Sequence, residues 1–253
     1  MNTSQPARTL RRLVMAVFLA AFAAASGVAA PWGDTVKGSG AVRKQDRPAT
    51  GITAVELSIP AEVEVRIGAN EGVTIETHEN LLPLIESSVE NGVLELKPVR
   101  KNLKLSTNHL RIVVTAREIR NLSIGGGGTI RAGMLRSPRL ELEIGGAGRI
   151  DIQQLEADSV DAEIGGSGNI ALAGYARKLS IEIAGSGDVQ ATKLRAEEAV
   201  VSIAGSGSAT LWPTNGLKVA IAGSGDVRYF GDPKTQTSVA GSGGIQRLGA
   251  APR

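Results

Sequence analysis

The chain has 253 residues, of which 42% are hydrophobic and 21% are charged, as is ordinary for a globular protein. It contains no cysteine, which excludes disulfides, thiolate metal sites, cysteine nucleophiles and a lipidated N-terminal cysteine. The formal net charge is +3, but three of the 28 basic residues and none of the 25 acidic residues lie in residues 1–30, so residues 31–253 are neutral. Since nucleic-acid binding requires a basic surface, no nucleic-acid partner is expected.

Residues 1–30 have the pattern of a secretory signal peptide. Three arginines precede an apolar run from Leu13 to Ala25, and small residues continue to Ala30. The run is shorter than the ~20 residues that a membrane span requires. We therefore predict export with cleavage between Ala25 and Ala30, and no membrane span after cleavage. An uncleaved anchor is the alternative.

Residues 31–253 are predicted to form a single domain, with an irregular β-rich part over residues 36–120 and regular repeats over residues 121–248. In the irregular part, Asn91-Gly92 between apolar segments predicts a hairpin turn. Pro83 within the sequence LLPLI predicts a short helical turn, and residues 110–115 predict a strand. The segments VKGSGAV (36–42) and IPAEVEV (59–65) are similar to a phrase that recurs later, and they are predicted to be early, irregular coils.

That phrase recurs through residues 124–248 at spacings of 18–20 residues, which is typical of a stacked repeat architecture. It reads IGGGGTI at Ile124, IGGAGRI at Ile144, IGGSGNI at Ile164, IAGSGDV at Ile183, IAGSGSA at Ile203, IAGSGDV at Ile221 and VAGSGGI at Val239.

Apolar and polar residues alternate on both sides of each phrase. Leu140, Leu142 and Ile144 alternate with glutamates, and Ile150 and Ile152 follow the glycines. This period of 2 predicts half-buried strands. A repeat this short accommodates three short faces but no crossover helix. We therefore predict an all-β fold, a right-handed parallel β-helix or β-solenoid with coils of 18–20 residues. Glycine is expected at the corner because the chain turns sharply there, through positive φ.

The two ends of this solenoid need protection, because an open end presents unpaired backbone groups. Residues 36–120 are predicted to act as a cap at the N-terminal end. At the other end, Thr235, Thr237 and Arg247 fall at inward positions of the last coil. We therefore expect this coil to be frayed or covered by Gly249–Arg253.

The glycine phrases are similar to two kinds of binding loop. Phosphate-binding loops need a following helix, whereas a strand follows here. The G-G-x-G-x-D repeats of calcium-binding β-rolls are a closer match. At the position after the second glycine, however, only Asp188 and Asp226 are acidic. Regular calcium binding is therefore not predicted, and no cofactor or metal is assigned.

Stacked repeats also predict two columns of polar side chains. The first column is predicted to consist of small residues that satisfy corner backbone groups, with a hydrogen-bonding strip for sugars as the alternative. It contains Ser167, Ser186, Ser206, Ser224 and Ser242. The second column contains Glu143, Glu163 and Glu182, and its mutual repulsion is expected to be relieved by neighbours such as Arg131 and Arg149. A face that meets a cation or a basic partner is the alternative.

A polysaccharide-cleaving enzyme is the main enzymatic alternative for a β-helix. Such an enzyme needs convergent carboxylates in distinct environments, or basic residues and a metal. The acidic residues here are spread along the faces, and the two histidines, His78 and His109, lie in separate segments. We predict that both histidines are surface or satisfied residues, and no catalytic residue is assigned.

Four features together resemble the bacterial head GIN domain family of auto-transporter adhesins. They are the export signal, VKGSG at Val36, the segment HENLLPLIE (78–86) with its Asn91-Gly92 turn, and the ladder of GSG phrases. The resemblance spans residues 36–249. It implies a right-handed helical all-β fold in a cell-envelope or secreted protein of a Gram-negative bacterium, and it brings no catalytic residues.

From these observations we predict an exported, non-enzymatic GIN-type solenoid over residues 31–253, located in the periplasm, on the outer surface or in the medium. Its expected partner is an envelope polysaccharide or an envelope protein. Two alternatives remain at this point, namely a glycoside hydrolase or lyase, and self-association through the solenoid ends.

Overall fold

Short strands occupy the N-terminal part of the chain. The structure, a computed structural model, describes residues 34–252, so the predicted signal peptide lies outside the described residues. The strands are β1 (Thr35–Lys37), β2 (Val42–Arg47), β3 (Ala54–Leu57), β4 (Glu62–Ile67), β5 (Gly72–His78), β6 (Ile85–Glu90), β7 (Val93–Pro98), β8 (Lys104–Ser106), β9 (Leu110–Ala116) and β10 (Asn121–Ile124). A 3-10 helix, Leu82–Leu84, confirms the predicted helical turn at Pro83. Within residues 34–252 no helix is long and apolar enough to cross a membrane.

Long bent strands follow, each of which makes almost a whole coil between two glycine corners. They are β11 (Thr129–Ile144), β12 (Arg149–Ile164), β13 (Asn169–Gly185), β14 (Asp188–Gly205) and β15 (Ser208–Gly223). β16 (Asp226–Phe230) and β17 (Lys234–Gly241) make the last complete coil, and β18 (Gly244–Gly249) begins a further one over β16. The long strands pair in parallel with their neighbours, and the whole is a β-solenoid of about six turns. The predicted β-solenoid is therefore confirmed.

Each coil has three faces, which the inward side chains of β11 define. Face A precedes the glycine corner, face B follows it, and face C lies between face B and the next face A. The inward residues are Leu140, Leu142 and Ile144 on face A, Ile130 and Ala132 on face B, and Leu135 and Ser137 on face C. Two consecutive outward residues separate the faces, and the chain bends there.

Aliphatic columns along the solenoid axis form the core. The isoleucines that open the phrases stack in register from one coil to the next, and none is more than 3% exposed. Burial of one such side chain contributes about 1.5–3 kcal/mol, so a stack of coils is stable where a single coil is not. The column consists of Ile124, Ile144, Ile164, Ile183, Ile203 and Ile221.

From the phrase at Ile144 onward, close approach requires both glycines of the G-x-G corner. A Cβ on the second of them, such as Gly187, would lie 2.5 Å from Cγ2 of Ile164 and 2.7 Å from the carbonyl oxygen of Gly168. A Cβ on the first of them, such as Gly166, would lie against the carbonyl oxygen of the glycine one coil below. The predicted positive φ occurs at Gly185 and its later equivalents but not at Gly166. Tight stacking of the corners is therefore the requirement that all coils share.

The N-terminal layers are stacked out of chain order. On face A, β3 lies between β7 and β10, and on face B, β4 lies between β9 and β11. The segment 59–65 does belong to an early coil, as predicted. Its register is displaced by two residues, however, because Leu57 and Val63 pair with Ile124 and Ile130.

Antiparallel strands close the N-terminal end. β5 pairs with β9 and β2 pairs with β5, while β6 pairs with β7 through the predicted Asn91-Gly92 turn. The prediction that residues 36–42 form a coil is wrong, because β1 pairs with β8 and β2 runs antiparallel in the cap. Arg47 links β2 to the rest of the cap, because its guanidinium donates hydrogen bonds to the carbonyl oxygens of Ile85 in β6 (2.6 Å) and Leu82 in the 3-10 helix (2.8 Å).

Within residues 34–252 the C-terminal coil is neither frayed nor covered, contrary to the expectation from its polar inward residues. β17 pairs with β15 from Lys234 to Gly241 without a register shift. All eight residues of β17 are nevertheless exposed. Backbone pairing alone is enough to order this coil although Thr235 and Thr237 replace aliphatic residues.

Substitution of one corner glycine should show how tightly the coils stack. We expect Gly187→Ala to lower the free energy of unfolding by about 1–3 kcal/mol, because the new methyl group overpacks against Ile164 and a backbone carbonyl. The matched control is Gly127→Ala, where a Cβ meets no atom within 4 Å. Urea unfolding of the two variants measures the difference, and equal stabilities would contradict the close-approach explanation.

A buried hydroxyl in the cap supplies a second stability test. Thr77 points inward on β5 beside Val73 and Ile75, is 0% exposed, and its hydroxyl has no hydrogen-bond partner. We expect Thr77→Val to raise the free energy of unfolding by about 1 kcal/mol, since a buried unpaired hydroxyl is costly. Thr74→Val on the same strand is the control, because the Thr74 hydroxyl donates to Asp46 at 2.6 Å. Chemical denaturation should show no gain for that variant.

Candidate functional site

The serines of the glycine corners form an exposed column. Their backbone N–H groups, not their hydroxyls, satisfy the corner, because each donates to a glycine carbonyl of the coil below at 2.9–3.0 Å. Within residues 34–252 the hydroxyls of these five serines make no hydrogen bond. The prediction that the side chains satisfy corner backbone groups is therefore wrong, because the backbone ladder already does so. The residues are Ser167, Ser186, Ser206, Ser224 and Ser242.

The predicted glutamate column is present on face A. Glu143, Glu163 and Glu182 are paired in register on three consecutive coils. The expected relief by Arg131 and Arg149 is wrong, because both arginines lie beyond the glycine corner on face B. There Arg131 pairs with Glu62, and Arg149 lies 3.9 Å from Asp151.

Other groups partly compensate the acidic face. Arg139 lies at the corner between faces C and A and forms ion pairs of 3.0 Å with both Glu141 and Asp161. Burial raises the pKa of Glu143, and the neighbouring carboxylate Glu141 raises it further, against a hydrogen bond from the side chain of Asn121. Face A therefore carries a half-buried carboxyl group whose charge is disfavoured in the folded state.

The two histidines lie in the cap. Nδ1 of the half-buried His78 is 3.2 Å from the hydroxyl of Thr107, and Nε2 of the exposed His109 is 3.5 Å from a carboxylate oxygen of Glu76. Each histidine thus has a partner of its own, as predicted for surface or satisfied residues. No group of three histidine or acidic side chains that could hold a metal ion occurs in the described part of the chain.

The two acidic residues of the calcium-like phrases lie on face B, separated by one coil. Asp188 pairs in register with Ser208, which in turn pairs with Asp226. Asp188 accepts a hydrogen bond from the Ser208 hydroxyl, and Asp226 accepts one of 3.0 Å from the backbone N–H of Gly244. Because Ser208 stands between them, the carboxylates are not adjacent, and each is engaged in a bond between coils.

A shallow, open depression of about 310 Å³ lies at the same place on face B. Its lining belongs to three consecutive coils and consists of Asp188, Gln190, Thr192, Ser208, Thr210 and Arg228. All six side chains are polar, and together they offer both donors and acceptors of hydrogen bonds. We call this depression the face B groove. Among its residues only Asp188 and Ser208 lie in repeat phrases, and the other four belong to no motif and become neighbours only through the coil register.

Aromatic side chains lie on the neighbouring face C. Tyr175, Arg195 and Trp212 are in register on three consecutive coils, and Tyr175 is 36% exposed. The tyrosine hydroxyl donates to Glu197. Trp212 is the next outward residue after Thr210 of the groove. Tyrosine, tryptophan and arginine are the residue types that carry most binding energy at protein interfaces.

The raised pKa of Glu143 predicts how stability depends on pH. The folded state disfavours the charge of Glu143. The contribution of this residue to the free energy of unfolding is therefore greatest below its unfolded-state pKa of about 4.3, and it falls as the pH rises toward its folded-state pKa. We expect Glu143→Gln to raise the free energy of unfolding at pH 7 by a few tenths to about 1 kcal/mol, with less effect at pH 4. Glu182→Gln, at the end of the column beside Ser202, should gain less. Denaturant melts at both pH values test this, and a destabilised Glu143→Gln would contradict it.

Solved structures of bacterial proteins share this fold. A "putative adhesin" from Bacteroides fragilis has a TM-score of 0.79 and 23% identity, covering 84% of this chain and 100% of that one. A "putative lipid binding protein" from Parabacteroides distasonis has a TM-score of 0.73 and 23% identity, with 85% and 100% covered. A "putative adhesin" from Parabacteroides merdae has a TM-score of 0.64 and 22% identity, with 85% and 99% covered. At these identities the likeness shows the fold alone.

No curated protein matches the chain. The sequence profile of one family matches residues 51–233, which is well over half of the chain and includes the face B groove, the glycine corners from Ile124 to Val227 and the cap except for β1 and β2. This confirms the resemblance seen in the repeat phrases, and the chain belongs to the family described as "Putative auto-transporter adhesin, head GIN domain".

Proposed function

We propose that this protein is an exported, non-enzymatic binding protein with an adhesin-like role, and that it binds a polysaccharide of a cell envelope. Membership of the adhesin family supports the adhesin-like role and an exported or surface location. The observation that carries the ligand class is the face B groove, whose polar lining spans three stacked coils.

The chemistry of the groove matches a hydroxyl-rich ligand. Gln190 and Thr210 can each donate and accept hydrogen bonds, while Arg228 donates and Asp188 accepts. Strands of neighbouring coils are about 4.8 Å apart, so these groups recur along the solenoid axis at a regular spacing. A long polymer lying along the axis could contact several coils at once, and such repeated weak contacts add up to useful affinity.

The aromatic side chains beside the groove favour a sugar over a small ion. The column of Tyr175, Arg195 and Trp212 adds flat apolar surface with polar groups at its edge. Sugar rings have the same combination of an apolar face and a polar rim. The groove and this column therefore supply complementary parts of one binding surface.

A lipid ligand, such as the name of the relative from Parabacteroides distasonis refers to, is less consistent with this chain. A lipid needs a concave apolar pocket. The three faces here pack their aliphatic side chains against one another, and the described core residues are almost completely buried. The face B groove has a wholly polar lining.

An enzyme that cleaves polysaccharide is also less consistent with the groove. Glycoside hydrolysis uses a pair of carboxyl groups that flank the bond. Asp188 is the only carboxylate in the lining, and it already accepts the Ser208 hydroxyl. The groove supplies groups for binding but not a catalytic pair.

Polysaccharide binding can be measured by affinity gel electrophoresis, with a panel of soluble neutral and acidic polysaccharides cast in the gel. We expect at least one of them to retard the protein. Arg228→Ala and Gln190→Ala should each weaken that retardation about tenfold, since a lost hydrogen bond to a charged or amide group costs on the order of 1.4 kcal/mol. The control is Lys218→Ala, which removes an exposed cation from face A of β15.

Two results would contradict the proposal. The first is that no polysaccharide retards the wild-type protein. The second is that Lys218→Ala weakens binding as much as Arg228→Ala does. That result would indicate that the polysaccharide is attracted by positive charge anywhere on the surface and not bound at a site on face B.

A further inference from the structure

The edge strands at the two ends of the solenoid differ in their content of charged residues. At the N-terminal end the edge strands are β2, which carries Arg43, Lys44, Asp46 and Arg47, and β6, which ends face A and carries Glu86 and Glu90. Charged residues on an edge strand prevent pairing with a second chain. The N-terminal end is therefore protected against association.

The free edge of β17, on face A at the C-terminal end, has no such protection. β17 pairs with β15 along one side, and among residues 34–252 no strand pairs with its other side. Lys234 is the only charged residue of this strand, which contains neither proline nor a bulge. A long, regular and nearly uncharged edge is the type that pairs with another chain.

The core is also open at this end. Thr235, Thr237 and Val239 stand above Leu217, Val219 and Ile221 of β15, so they continue its inward positions. Val239 is 43% exposed, whereas Ile221 beneath it is 3% exposed. The aliphatic column therefore ends with an apolar side chain that nothing in the described chain covers.

From these features we infer that two copies of this chain associate through their C-terminal ends, with β17 of one copy antiparallel to β17 of the other. This inference is independent of the proposed polysaccharide ligand. A two-fold axis at Thr237 places Thr235 opposite Val239, Gln236 opposite Ser238, and Lys234 opposite Ala240. No like charges meet, and β-branched residues face one another, which is favourable across a strand pair.

A second copy fits this edge better in the two-fold arrangement than in a head-to-tail one. Head-to-tail stacking would set β17 of one copy against β6, the edge strand of face A in the next copy, which carries Glu86 and Glu90 and whose Ile85 carbonyl already accepts from Arg47. That arrangement does not close and leads to filaments. The two-fold arrangement closes as a dimer and leaves both charged caps at its outer ends.

The absence of cysteine in the chain permits a direct test by single-cysteine cross-linking. In the proposed dimer, residue 237 lies opposite itself, with a Cα–Cα distance of about 4.5–5.5 Å that a disulfide can bridge. We expect the protein, purified as cells process it, to sediment as a dimer at micromolar concentration. Thr237→Cys should form a disulfide-linked dimer on mild oxidation. Ser202→Cys on face A and Lys44→Cys on the cap should remain unlinked.

A charge at the same position should disrupt the dimer. Thr237→Lys brings two ammonium groups together at the two-fold axis, and we expect the dissociation constant to rise at least tenfold. Ser202→Lys, at an exposed position of face A, should leave it unchanged, and circular dichroism verifies that both variants are folded. A monomeric wild-type protein, or equal cross-linking through Lys44→Cys, would overturn the inference.

Discussion

The contact between a corner glycine and the isoleucine one coil below sets the geometry of the whole solenoid. From the phrase at Ile144 onward, the second glycine of the G-x-G corner lies directly over the isoleucine that opens the preceding phrase, with room for a hydrogen but not for a methyl group. The first glycine lets two backbones approach closely enough for the serine N–H to reach the carbonyl below. Because both contacts repeat in every regular coil, faces A and B are held in register from β11 to β15.

The coils differ in length by one or two residues, and the difference is accommodated on face C because the glycine corner does not tolerate it. The register shifts between the long strands fall at or beside face C, for example between Ala191 and Arg195. Gly174 sits at one of these irregular places, at a φ of +125°, against the backbone of Leu155. The shorter coils therefore change one face only. Faces A and B remain flat and continuous, and they carry the acidic column and the polar groove.

Much of the regular part could be predicted from the sequence, because its repeat and its period of 2 are local patterns. The column of Ile144, Ile164 and Ile183 is an example, and outside the regular part the Asn91-Gly92 hairpin is another local pattern that was predicted. A cap over residues 36–120 was also predicted, but its strand order could not be, because the position of β10 beside β3 depends on pairing between segments that share no motif. The groove was missed for a related reason, since Gln190 and Arg228 become neighbours only when three coils are stacked in the correct register. The prediction that Arg131 and Arg149 lie beside the glutamate column was wrong, because the glycine corner places both arginines on face B while the column lies on face A.

The out-of-order stacking of the N-terminal strands has a consequence for how the chain folds. β3 and β4 are made early, yet each acquires its second neighbour only after β10 and β11 have been synthesised. Closing these long loops is a non-local and therefore slow step. Every later coil pairs with the one completed just before it, so its addition is local. The slow pairing steps are thus expected in the first half of the molecule, and a change in the number of regular coils in the second half should leave them unaltered.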